Sequence, residues 1–181
     1  NFRFLGEQFA KKNKLKEALH WYLRLLDESA EEGEKLDIIR IAIKIYSKIG
    51  QWDELLLFLD RLLENEDDQR RMAEYHLEKG NIYSILKDKT SALAAFEEAL
   101  SQKGTVERAL DGISALYRAA GDWKGLTEKY QELLGRHPEI DSDKLSAIYT
   151  ELGDIYLERL NEISSAVTSY EEAVALAPTR T

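Results

Sequence analysis

The sequence predicts an all-α protein built from repeated helical hairpins, and three observations lead to that fold class. Only 2 of the 181 residues are Pro and 10 are Gly, whereas Leu, Ala, Glu and Lys are abundant, a composition that favours helices. Apolar residues make up 44% of the chain and charged residues 33%, which is typical of a globular protein. A pattern of small and aromatic residues also recurs along the chain, and such recurrence indicates a repeat architecture.

The repeated unit is clearest between residues 78 and 100. Gly80 is followed three residues later by Tyr83, a turn follows, and Ala92, Phe96 and Ala99 lie on a second helix. Five such units are predicted near 1–33, 34–67, 68–104, 105–140 and 141–178. The small residue of each first helix, or the residue in its place, is Gly6, Ile43, Gly80, Ser114 and Gly153, at steps of 37, 37, 34 and 39 residues.

Taken in order, the units predict ten helices near 2–12, 15–31, 35–49, 52–64, 68–87, 89–102, 105–119, 122–135, 142–159 and 163–176. Gly50 and Gly121 stand where two first helices end, and glycine readily takes the left-handed conformation that closes such ends. Thr105 is predicted to N-cap the seventh helix. The fifth unit has one extra residue before Ala166, in the stretch RLNEISSA.

The small and aromatic residues are interpreted as packing positions. Gly80 and its equivalents are expected where the two helices of one unit cross, with Ala92 supplying a flat surface on the second helix. Phe96, Tyr130 and Tyr170 are expected to pack between one unit and the next. Glycine inside a helix lowers stability by about 1 kcal/mol relative to alanine. Close packing at these positions must therefore stabilise the protein by more than that.

The recurring order of these residues resembles the tetratricopeptide repeat (TPR), whose unit of about 34 residues follows the pattern L-G-x-x-Y, A, F, A, P. The resemblance covers the whole chain and is weakest in the second unit, where Ile43 and Leu55 replace small residues. It implies a single right-handed α–α superhelix over 1–181, formed by about ten antiparallel helices. Because the chain begins at Asn1 inside an apolar-periodic segment, we expect a fragment of a longer protein.

Several function classes are disfavoured by composition and spacing. The chain has no cysteine and a net charge of −9, which argues against disulfides, thiolate metal sites and a nucleic-acid-binding surface. No apolar run is long enough to span a membrane. The three histidines, at 20, 76 and 137, lack the spacing of a helical zinc site, and no phosphate loop or nucleophile motif is present. We therefore predict no enzymatic activity, no cofactor and no metal; the cytoplasm is the predicted location, and a periplasm remains an alternative.

The resemblance places the functional surface on the first helices, which in this family line a concave groove that holds peptides. The residues mapped to that groove are Arg3, Glu7, Arg40, Lys44, Ser47, Leu77, Asn81, Ser84, Arg108, Asp111, Arg118, Thr150, Asp154 and Glu158. Of these, the predicted peptide-binding residues are Arg40, Lys44, Asn81, Ser84, Arg108 and Arg118. The amide of Asn81 could both donate to and accept from a peptide backbone, and the cations favour an acidic partner.

The same surface departs from the chaperone-tail-binding members of the family. Lys44 and Glu78 stand where those members have Asn, and Gly112 stands where they have Arg. This argues against chaperone-tail specificity but not against another acidic ligand. The alternative is that these charges form only the solvated face of each helix.

A second function class is a structural segment that self-associates through the ends of the stack. Repeat stacks need polar capping helices, yet Val167, Val174 and Leu176 lie on the last predicted helix and no solvating helix follows Pro178. Either the protein continues or this face pairs with another copy. An RNA-binding helical repeat is disfavoured by the acidic balance.

Overall fold

The computed structural model describes residues 1–29, 32–101, 103–136 and 140–176. Within these ranges the chain forms ten α-helices and one π-helical turn, without a strand. The helices are α1 (Phe2–Lys11), α2 (Leu15–Glu28), α3 (Glu32–Ile49), α4 (Trp52–Glu64), α5 (Gln69–Ile85), α6 (Lys89–Ala99), α7 (Lys103–Ala120), α8 (Trp123–Arg136), α9 (Ser142–Ile155) and α10 (Ile163–Leu176). The predicted all-α class and helix order are therefore confirmed; His137, Pro138 and Pro178 lie outside the described residues.

Successive helices pair as five hairpins, each with a first and a second helix. Each first helix ends at a residue in the left-handed conformation, and in the described residues these five are Asn13, Gly50, Lys87, Gly121 and Asn161, with φ between 56° and 69°. This conformation ends a helix and redirects the chain toward the next one. The prediction for Gly50 and Gly121 is confirmed, whereas Asn and Lys occupy the same position in the other three hairpins.

The chain divides into two compact units, Asn1–Asn65 and Glu66–Thr181, and each is considered by itself. The core of the first unit includes Ala18, Tyr22, Ile38 and Leu59, all buried. The second unit has a continuous core that includes Phe96, Leu110, Ile113, Leu126 and Leu152. In both units the core consists of small, aliphatic and aromatic residues that recur at the repeat positions.

The aromatic ring of Phe96 lies between two glycines. A Cβ atom on Gly80 of α5 would stand 2.5 Å from this ring, and a Cβ atom on Gly112 of α7 would stand equally close to it. Phe96 thus packs between one hairpin and the next, as predicted. Ala92 was expected to be the neighbour of Gly80 on α6. The nearest side chain is instead the ring of Phe96, because the absence of a side chain on Gly80 leaves space for a ring.

One predicted helix start is wrong. Helix α7 begins at Lys103, so Thr105 lies in its first turn and does not cap it. The hydroxyl of Thr105 instead donates to the carbonyl oxygen of Ala99, at the end of α6. The buried threonine therefore joins the end of one helix to the start of the next.

The extra residue of the fifth hairpin is accommodated by a π-helical turn. Helix α9 continues as the turn Tyr156–Leu160, which ends at the left-handed residue Asn161. The left-handed residue follows the aromatic by five positions here but by four in the other hairpins, for example from Tyr117 to Gly121. A π turn has one more residue per hydrogen-bonded loop than an α turn. The turn therefore takes up the extra residue, and Ala166 keeps its packing position on α10.

Candidate functional site

The predicted peptide-binding residues are divided between the two compact units. Arg40 and Lys44 lie on α3 in the first unit, whereas Asn81 and Ser84 on α5 and Arg108 and Arg118 on α7 lie in the second. All six are on first helices, as predicted. The second unit carries the larger part of the site, and its exposed faces of α5, α7 and α9 are called the first-helix surface below.

In the first unit the two basic residues are open to solvent. The side chain of Arg40 is 73% exposed, and its guanidinium lies 3.6 Å from the carboxylate of Asp37 one turn earlier. Lys44 is also exposed. The neighbouring helices α1 and α3 are joined by an ion pair of 3.2 Å between Arg3 and Glu34.

In the second unit, ion pairs connect neighbouring first helices. Arg108 of α7 pairs with Glu74 of α5, and Lys144 of α9 lies 2.8 Å from Asp111 of α7. Similar surface pairs contribute about 0–1 kcal/mol each. Arg108 is therefore engaged by a carboxylate within the protein, which a ligand would have to replace.

Glu78 brings Asn81 and Arg108 into one neighbourhood. Burial raises the pKa of the Glu78 carboxyl, while a hydrogen bond from the Asn81 side chain and the charge of Arg108 act in the opposite direction. Ser84 is bound to its own helix, since its hydroxyl donates to the carbonyl oxygen of Gly80 at 2.7 Å. From the sequence, Glu78 was seen only as a departure from a family pattern. Its burial could have been predicted, because this carboxylate lies near Gly80 on the face of the helix that packs.

Arg118 belongs to a second group of polar contacts, centred on Glu151 of α9. The Glu151 carboxylate accepts from Arg118 Nε at 3.2 Å, from the Ser114 hydroxyl at 3.3 Å and from the Tyr130 hydroxyl at 3.0 Å. Burial, together with the adjacent carboxylate, raises the pKa of the Tyr130 phenol. This group connects α7, α8 and α9, and the sequence assigned Ser114 and Tyr130 to packing alone.

One residue mapped to the groove is misplaced. The side chain of Leu77 is only 2% exposed and belongs to the core of the second unit. In the described residues no group of three or more His, Cys, Asp or Glu side chains is arranged to hold a metal ion. No helix within the same ranges is long and apolar enough to cross a membrane.

The fold and this surface define a protein of stacked helical hairpins. Comparison with known families shows which family of such proteins it belongs to. A family model described as tetratricopeptide repeat matches residues 73–105 and 146–180, and a second one with the same description matches 44–73. The chain belongs to the tetratricopeptide repeat family. The comparison with curated proteins gives no match.

Solved structures share the fold at low sequence identity. The MamA protein is 18% identical, with 97% of this chain and 89% of that chain covered and a TM-score of 0.56. BtubC from P. vanneervenii is 16% identical over 99% of this chain and 83% of that chain, with a TM-score of 0.57. YrrB, a TPR protein with an unusual peptide-binding site, is 13% identical over 99% and 86%, with a TM-score of 0.51. These likenesses support the all-α repeat fold.

Proposed function

We propose that the chain is a non-enzymatic scaffold that holds a peptide or partner protein on its first-helix surface. The observation that carries the proposal is the exposed amide of Asn81, which stands beside the partly buried carboxylate of Glu78. Membership of the tetratricopeptide repeat family and the peptide-binding site of YrrB support a peptide as the ligand. In the first unit, considered by itself, the exposed cations Arg40 and Lys44 of α3 are a separate proposed contact surface.

The proposed mechanism is recognition of the peptide backbone by the amide and of acidic groups by the arginines. An Asn side chain offers both a donor and an acceptor, so it can fix a backbone without reading its sequence. Arg108 and Arg118 would bind ligand carboxylates in place of Glu74 and Glu151. Such exchange retains a charge-assisted hydrogen bond for each arginine.

The proposal is tested by selecting peptides from a random displayed library on the wild-type protein and measuring their binding to variants. Asn81→Ala and Arg108→Ala should each weaken binding by about tenfold, equivalent to about 1.4 kcal/mol, without a change in melting temperature. Lys124→Ala is the matched control, because Lys124 is an exposed cation on the second helix α8. Equal binding to all four proteins would remove the site assignment.

The sign of the ligand charge has a separate test. Glu74→Gln removes the carboxylate that pairs with Arg108, so an acidic peptide should bind about two- to fivefold more tightly to this variant. The gain should shrink with added salt, since exposed charges are screened. Weaker binding by Glu74→Gln would indicate instead a basic ligand that contacts Glu74 itself.

A second candidate function is self-association through α10, and one observation favours it. On α10, Ile163 and Val174 are 63% and 75% exposed and share a helix face with Val167 and Tyr170. The same register on α6 is filled by Leu93, Phe96 and Leu100, which pack in the core with α7 residues. The exposed face of α10 therefore resembles the face of α6 against which the first helix of the next hairpin packs.

A second copy offers a matching surface in α1. Phe4 of α1 is 58% exposed and occupies the register of Gly112 and Glu151. In the two junctions of the second unit, these residues contact the aromatic of the preceding second helix: Gly112 faces Phe96, and Glu151 binds Tyr130. We therefore propose head-to-tail association, with Phe4 of one copy against Tyr170 of another.

Light scattering over a concentration series tests this association. The wild-type mass should rise with concentration, and Val174→Lys should keep the protein monomeric because it places a charge in the contact. Leu57→Lys is the control, since Leu57 is an exposed apolar residue of α4. A wild-type protein that stays monomeric at the highest concentration contradicts the proposal.

A further inference from the structure

An open cleft runs between the second helices α8 and α10, and α9 forms its floor. Its volume is about 700 Å³, and the residues that line it include Gln131, Tyr149, Tyr156, Thr168, Ser169 and Glu172. This volume lies in the range of small-ligand sites, about 300–1,000 Å³. The walls of the cleft are second helices, and none of the proposed peptide-binding residues lines it.

The preceding seam, between α6 and α8, shows why this one is open. There Lys129 fills the space between the helices: its side chain is only 11% exposed, and its ammonium lies 2.5 Å from Glu97 and 2.9 Å from Glu132. Forty residues on, in the same repeat register, Ser169 replaces Lys129 and Glu172 replaces Glu132. Of the two carboxylates that pair with Lys129, the cleft therefore keeps the counterpart of Glu132, whereas Gln131 stands in the register of Glu97 and the lysine itself is missing.

Several hydrogen-bonding groups around the cleft offer acceptors. The hydroxyls of Ser169 and Thr168 donate to carbonyl oxygens of their own helix, at 2.8 and 3.1 Å, so only their lone pairs remain available. The Gln131 side-chain nitrogen donates one of its two hydrogens to the Tyr156 hydroxyl at 2.8 Å, and the Gln131 carbonyl oxygen is a further acceptor, while the second N–H and the Tyr156 O–H are donors. Together with the exposed carboxylate of Glu172, this arrangement suits a ligand that is cationic and rich in donors.

We propose that this cleft binds a primary alkylammonium group, supplied by a lysine side chain of a partner polypeptide or by a free polyamine. The aliphatic stem would lie on the floor formed by Tyr149, Leu152 and Tyr156, as lysine stems do on apolar surfaces. The ammonium would pair with Glu172 in the manner of Lys129 and Glu132. Three N–H donors per ammonium match the acceptors that surround it.

Amide chemical-shift titrations of the whole chain test the proposal with three probes. Nα-acetyl-lysine N-methylamide and spermidine supply the ammonium from the two sources, and the norleucine analogue of the first keeps the stem without the charge. We expect shifts at 165–172 with either ammonium compound and binding of norleucine weaker by about tenfold. Spermidine binding alone identifies a polyamine, lysine binding alone identifies a polypeptide, and equal shifts with norleucine overturn the proposal.

Variants locate the binding in the cleft. Ser169→Lys restores the lysine of the preceding seam and should abolish binding of both ammonium probes, while Glu172→Gln should weaken it by about tenfold. Glu171→Gln is the matched control, because Glu171 is the exposed neighbour that does not line the cleft. Retained affinity in Ser169→Lys, or an equal loss in Glu171→Gln and Glu172→Gln, contradicts the assignment.

Discussion

At the scale of single residues, Phe96 shows close packing in the second unit. Its ring is 1% exposed and lies against two glycines, Gly80 on one side and Gly112 on the other. A methyl group at either position would overlap the ring, which cannot move far within a close-packed core. These glycines are required by contact and not by backbone conformation, since neither has a positive φ.

Gly112→Ala is accordingly expected to destabilise the protein by about 1–3 kcal/mol, although alanine is the better helix former. Thermal or urea unfolding followed by circular dichroism measures the change. Gly104→Ala on the same helix is the control, because Gly104 has open space around it, and this variant should be neutral or slightly more stable. Adding Phe96→Leu to Gly112→Ala should cost less than the two separate losses together, since the residues are in contact.

Glu78 provides a pH-dependent test at the same scale. Burial raises its pKa in the folded protein above the value of about 4.3 for a free Glu. The folded state then holds its proton more tightly than the unfolded state, so this contribution to stability is present at low pH and is lost as the pH rises through the folded pKa.

Glu78→Gln should therefore be more stable than the wild type at pH 7, and the difference should shrink as the pH falls through the raised pKa of Glu78 and disappear once the pH is below about 4.3. Melting temperatures of both proteins between pH 4 and pH 8 measure it. Glu98→Gln is the control, because Glu98 is an exposed carboxylate on α6 and its replacement should have little effect. A difference that does not depend on pH would show that the charge of Glu78 is not the cause.

At the scale of elements, the hairpins are closed by the same device with different residues. The left-handed residue at the end of each first helix is Gly in two hairpins and Asn or Lys in three. Side chains other than Gly, Asn and Asp rarely take this conformation. Lys87 holds it where the chain must turn into α6, so the tertiary contacts of the hairpin outweigh the local preference.

The π-helical turn predicts an unusual tolerance to deletion. Removing Glu158 should convert the turn to an ordinary helical one and keep Ala166 in place, so the melting temperature should change little. Removing Ala119, the equivalent exposed residue of α7, should lower stability by about 2 kcal/mol or more, because that hairpin has no extra residue to lose. Comparable losses in the two deletion variants would rule out this account of the turn.

At the scale of the whole molecule, the chain is a succession of hairpins in two compact units. The second unit, Glu66–Thr181, is joined internally by its core and by ion pairs between neighbouring first helices. In repeat proteins stability is close to a sum of units and the contacts between neighbours. The second unit thus contains the contacts that its own folding requires.

The fragment 66–181 should therefore fold without the first unit. We expect a helical circular-dichroism spectrum and a cooperative unfolding transition that Gly112→Ala shifts to lower denaturant, as it does in the whole chain. A fragment of 1–65 has fewer hairpins to stack and should be less stable. A 66–181 fragment without a cooperative transition would show that the division at Asn65 is not a folding boundary.

The sequence by itself determined the helices, their order and the repeat register. The spacing of small and aromatic residues along the chain decides which face of a helix they share. Gly80, Tyr83 and Phe96 could therefore be placed on their hairpin from the pattern alone. The extra residue before Ala166 was also visible, because an insertion changes a spacing that can be counted. The prediction placed Asn81 and Arg108 on first helices for the same reason.

Only the tertiary structure decided which partners these residues have. The pairing of Arg108 with Glu74, the burial of Leu77 and the contact of Phe96 with Gly112 depend on how separate helices approach each other. The cleft beside Ser169 likewise follows from the distance between α8 and α10. Local periodicity fixes which face of a helix a residue occupies, but the neighbour that meets that face is set by packing between separate helices, with partners as near as 16 positions for Phe96 and Gly112 and as far as 34 for Glu74 and Arg108.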